Sequence, residues 1–107
     1  MARDPIHPGK FLADELAELS ISAATLAHLL HVPPGRIYQI LGGRRALTAD
    51  MALRLSQWLG TSPDFWINLQ KSYELRLAEQ QSGEEIKRTV TRRQGSSELG
   101  AGLAVPF

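Results

Sequence analysis

The stretch that decides the fold runs from Ser22 to Gly43, SAATLAHLLHVPPGRIYQILGG. It reads as two short helices joined by a tight turn. Ser22 is a natural N-cap, because its hydroxyl can accept a backbone N–H that the first turn leaves free. From about Ala23 to Leu30, the residues Leu26, Ala27 and Leu30 form one apolar stripe at helical spacing. Pro33 precedes a second proline and is held extended, as a cap position requires. Pro34 suits the first helical position. Ile37, Ile40 and Leu41 then make a second buried stripe, and Gly42-Gly43 stops the helix. Between the helices, His31 falls where a left-handed backbone is usual, and histidine tolerates that conformation better than most side chains. Val32 is placed to plug the turn into the core. Ala27 is small enough for the second helix to cross closely above it.

Two helices pinned in this way leave the outer side of the second one free. Counting about 100° per residue from Ile37, Ile40 and Leu41 puts Gly35, Gln39 and Gly42 opposite the core, with Arg36 and Tyr38 flanking. These side chains suit the edge of a DNA groove. Gln39 can pair with adenine N6 and N7, and Arg36 with guanine O6 and N7. Tyr38 can donate to a phosphate or pack on a thymine methyl. Gly35, which offers no side-chain donor, lets the backbone approach. Gly35, Arg36, Tyr38 and Gln39 are therefore the expected base-contacting set. Arg44 and Arg45 follow the helix and are expected on backbone phosphate, as are Ser22 and the free amides beside it. The plain alternative is a solvated face carrying ordinary surface charges.

Working outward, three more helices are expected. One follows Pro8, with Phe11, Leu12, Leu16 and Leu19 at helical spacing. Another is capped by Thr48, buries Met51, Ala52, Leu55 and Leu59, and ends at Gly60. The last opens with Ser62-Pro63-Asp64 and is expected to line one face with Phe65, Leu69, Tyr73 and Leu77. After Glu79 the chain turns polar. The expected organisation is an all-α, five-helix bundle over residues 1–80, with the helix-turn-helix proper at 22–43. Residues 81–107 are expected to form a polar extension that ends, from Gly95, in a flexible tail or a strap docked on the body.

The totals fit this outline. The chain has 107 residues, one domain's worth. Net charge is only +1, but no acid occurs between Glu18 and Asp50, so Arg36, Arg44 and Arg45 make a local basic patch. Cysteine is absent, which suits a reducing cytoplasm. No apolar run has the length of a membrane span, and the N-terminus lacks the apolar stretch of a signal peptide. A cytoplasmic location is expected. Asp14, Glu15 and Glu18 lie on an amphipathic helix with no nucleophile or histidine pattern, so they read as a solvated face. His28 and His31 lack further ligands nearby. No catalytic residue, metal or cofactor is expected, and the chain does not read as an enzyme.

Four stretches together resemble the HigA-type (VapI-like) antitoxins, within the XRE or lambda-repressor-like helix-turn-helix group. They are His7-Pro8-Gly9; Leu26-Ala27 with Val32 and Ile37; Arg45-Ala46-Leu47-Thr48 followed by Met51-Ala52-Leu53-Arg54-Leu55; and Gly60-Thr61-Ser62-Pro63-Asp64-Phe65-Trp66-Ile67-Asn68-Leu69-Gln70. The match covers roughly residues 6–80. The resemblance implies a lambda-repressor-like bundle and a homodimer on a palindromic operator in double-stranded DNA, repressing its own promoter. It also implies a cognate toxin, typically an mRNA-cleaving ribonuclease. The chain departs from the pattern twice: Pro33 stands where Ser or Thr is usual, and His31 replaces the turn glycine. Two other readings stand beside this one. One is a regulator of the same fold without a toxin, and the other is a protein-interaction module that has lost DNA binding.

Overall fold

A computed structural model describes residues 4–93 and shows five helices: α1 (Pro8–Leu19), α2 (Ala23–Leu30), α3 (Pro34–Leu41), α4 (Ala49–Leu59) and α5 (Pro63–Thr89). Local chemistry sets most of the boundaries. The Ser22 hydroxyl accepts from the Thr25 amide, the Thr48 hydroxyl from Met51, and the Ser62 hydroxyl from Asp64. Pro8, Pro34 and Pro63 each start a helix. Pro33, in the unusual cap position, is extended and makes no side-chain cap bond. His31 is left-handed, with φ 59°, and closes α2. Gly43 supplies the positive φ after α3, at 74°. Ser20 ends α1 in the same left-handed region, with φ 57°.

The core is made where α2 crosses α3, with α1 packed on α3, α4 on α2, and α5 on α4 and α1. Leu12, Leu16, Leu26, Ala27, Leu30, Val32, Ile37, Ile40, Leu47, Met51, Ala52 and Leu55 are buried together. Ala27 and Val32 stand as expected, and the Val32 amide donates to the Ala27 carbonyl at 3.0 Å. Phe11 and Leu19 are exposed, and Leu59 is half-buried, so the apolar stripes of α1 and α4 are narrower than their spacing suggested.

The face of α5 is corrected by one residue. Phe65 is 48% exposed, whereas Trp66 is 2% exposed and sits in the core. Trp66 and Gln70 are buried, and Leu69, Tyr73 and Leu77 are half-buried along the same side. Phe65 stays against the Trp66 ring, edge to face at 5.1 Å. The helix also continues to Thr89, through the start of the polar extension. Beyond Leu77 it has almost no buried surface. Ion pairs one turn apart support it there: Arg76 with Glu79, Lys87 with Glu84 and Arg88 with Glu85. Residues 95–107, expected to form a tail, lie outside the described residues. No helix among the described residues is long and apolar enough to cross a membrane.

Candidate nucleic-acid interface

α3 is eight residues long, too short to be helical by itself. Ile37 and Ile40 are fully buried and hold it to the body. That orientation turns Gly35, Tyr38 and Gln39 outward and leaves Arg36 half-buried at the edge. Tyr38 is 53% exposed, a large ring left in solvent. The four residues expected to face bases thus lie on α3 away from its anchor. Ser22 is exposed at the start of α2, but its hydroxyl is engaged: it accepts from the Thr25 amide at 3.1 Å and donates to Thr25 Oγ1 at 2.9 Å. The Ala23 and Ala24 amides are the groups a first turn leaves unpaired for an anion.

The loop after α3 is tightly braced. The Arg44 amide donates to the Gln39 carbonyl at 2.9 Å, and the Gly43 amide to Ile40 at 3.0 Å. The Arg44 guanidinium folds back over Gly42. Arg45 does not point into solvent alone: its Nε donates to Gln39 Oε1 at 2.6 Å. Further along the loop, the buried Leu47 amide donates to Gln70 Oε1 at 2.8 Å, which ties the loop to α5. Gln70 Nε2 in turn donates to Glu74 and holds that carboxyl below its ordinary range.

Sequence reading missed three of these supports. Arg54 on α4 donates from Nη1 to the Leu30 carbonyl at 2.8 Å, pairs with Asp50, and thereby closes the end of α2. Gln70 is the second. His7 is the third: its Nδ1 accepts from the Gly9 amide at 2.9 Å and caps α1. Its ring meets Tyr73 edge-on at 4.9 Å and lies beside the Arg45 backbone. Each of these residues lay inside a quoted family motif, but nothing in a motif names the partner.

His7 has a pH consequence. Burial lowers its pKa, and the Arg45 backbone beside it opposes that only in part. The folded state therefore favours the neutral ring, whose Nδ1 must stay unprotonated to cap the helix. Between the folded and unfolded pKa values the unfolded chain binds more protons, so stability rises with pH. The contribution is complete above the ordinary histidine value, about 6.5, and is lost as pH falls below it. Thermal unfolding followed from about pH 7.5 to about pH 5.5 is expected to show a falling Tm. His7→Asn, which can still cap, should flatten that slope. An equal slope in the variant would place the pH dependence on other groups.

A short helix held by two isoleucines, with an outward polar face and arginines at its exit, defines a helix-turn-helix protein. No family model matches the chain. Virulence-associated protein I of Dichelobacter nodosus is 46% identical over 76 residues, 70% of each chain. A HigA-family addiction module antidote protein from Coxiella burnetii has a related structure, with TM-score 0.84 and 47% identity over 85% of this chain and 100% of that one. The Pseudomonas aeruginosa antitoxin HigA, solved with the higBA promoter, has TM-score 0.79 and 42% identity over 81% and 96%. The chain belongs to the HigA-type (VapI-like) antitoxin family, in the XRE or lambda-repressor-like helix-turn-helix group.

Proposed function

We propose that this chain is a sequence-specific transcriptional repressor and the antitoxin of a type II toxin–antitoxin pair. It binds a palindromic operator in its own promoter as a homodimer, in the cytoplasm, as a binding protein and not an enzyme. The observation that carries this reading is the outward face of α3, where Gly35, Tyr38 and Gln39 are exposed directly above the buried Ile37 and Ile40. The promoter complex of the Pseudomonas relative supports it. A dimer would set two copies of α3 about one DNA turn apart, ~34 Å, in successive major grooves. Gly35, Arg36, Tyr38 and Gln39 are assigned to base edges. Ser22 with the α2 amides, Arg44 and Arg45 are assigned to phosphate. Neutralisation of a ribonuclease toxin uses surface outside α3, and a neighbouring reading frame for such a protein separates this reading from a regulator without a toxin.

The test is binding of the purified protein to a duplex of its own upstream region at two salt concentrations. Tight, salt-sensitive binding is expected, because phosphate contacts release counterions. Gln39→Ala should cost about 1–3 kcal/mol and relax one base position. Arg44→Ala should weaken binding to all sequences and flatten the salt slope by about one. No specific binding by the wild type would instead support an interaction module.

A further inference from the structure

Arg45 was expected on phosphate, yet its guanidinium is bonded to the side chain assigned to a base. Arg45 Nε to Gln39 Oε1 is 2.6 Å, across six residues and a turn. A guanidinium only donates, so the Gln39 atom it meets must be the carbonyl oxygen. That contact fixes the sense of the amide and leaves Nε2 on the other side. The Oε1 atom has two acceptor sites, and Arg45 uses one. What remains is one acceptor site on Oε1 and the two N–H groups of Nε2 in a set order, the pattern that adenine N6 and N7 complement. A glutamine without this contact can rotate its amide and present the two in either order.

The backbone beneath Arg45 is held as firmly. The Gly43 turn reverses the chain, with φ 74°. His7, which caps α1 and packs on Tyr73, lies beside the Arg45 backbone. The Arg44 amide returns to the Gln39 carbonyl. Arg45 therefore reaches Gln39 from a fixed base.

We infer that Arg45 is a specificity-determining positioning residue, which orients the Gln39 amide to select adenine at one position of each operator half-site. The inference rests on the assignment of Gln39 to a base edge.

The experiment selects bound duplexes from a randomised double-stranded pool with the full-length protein, Gln39→Ala, Arg45→Lys and the double variant. Arg45→Lys keeps the charge and loses the planar Nε donor. The wild type is expected to enrich adenine at one half-site position. Gln39→Ala should lose that preference by roughly tenfold or more, the scale of one bidentate contact. Arg45→Lys should lose it at the same position, while its salt slope stays that of the wild type. The double variant should be no less selective there than Gln39→Ala. In the free protein, Arg45→Lys should also shift the Gln39 side-chain amide resonance. Retained adenine preference in Arg45→Lys overturns the inference and leaves Gln39 as a reader. Retained preference in Gln39→Ala overturns the base assignment and the inference together.

Discussion

Replacing Gly9 with alanine is expected to destabilise the domain by about 3 kcal/mol or more, at the upper end of what overpacking a tight core costs. A Cβ at Gly9 would lie 2.0 Å from the Ile40 carbonyl oxygen, 2.9 Å from its carbon and 3.1 Å from Leu41 Cα. All three are backbone atoms, so no side chain can swing aside. Either the first turn of α1 lifts from α3, or the end of α3 moves. The first choice opens the core around Leu12 and disturbs the His7 cap. The second displaces the helix that carries Gln39. For a domain of this size the loss corresponds to a fall in Tm of roughly 12 °C or more, measurable by circular dichroism. A Tm equal to that of the wild type would mean that α1 and α3 do not approach so closely in solution.

Gly9 also marks where sequence reading stops. A glycine in the first turn of a helix costs stability, and that was its only local signal. The reason for it is Ile40, about thirty residues away in the chain. The same limit applies to Arg54 with Leu30, Gln70 with Leu47 and Arg45 with Gln39. In each case the residue type was visible and its partner was not. What the sequence did show was local. Ser22, Thr48 and Ser62 each cap the first turn that follows, and Pro8, Pro34 and Pro63 each act on their own φ. The helix-turn-helix was legible because its elements lie within 22 residues, Ser22 to Gly43.

Neighbouring aromatics were harder. Phe65 and Trp66 both fit a helical stripe with Leu69 and Tyr73, and only the packing against the core separates them. Trp66 was the residue buried, although its indole Nε1 has no hydrogen-bond partner there. The length of α5 was hidden for a different reason. A loss of apolar periodicity after Glu79 signals the end of burial, not the end of helix, and ion pairs along the exposed face need no core.

Ile37→Ala should separate the two jobs of α3. Ile37 is fully buried, and its loss would leave a cavity directly under the outward face of α3. The expected cost is about 2–5 kcal/mol, a large share of the 5–15 kcal/mol typical of a whole domain. Because α3 has only eight residues, the remaining anchor, Ile40, cannot hold it alone, and operator affinity should fall together with Tm. Ile37→Val, which removes one methylene, should cost about 0.5–1.5 kcal/mol and keep both properties near the wild type. Tyr38→Ala, next in sequence but exposed on the outward face, should change operator binding while leaving Tm in place. If Ile37→Ala kept the wild-type Tm, the apolar seam would not be what fixes α3. If Tyr38→Ala lowered Tm as far as Ile37→Ala, the outward face would be part of the core, and the division between the anchored and reading sides of α3 would fail.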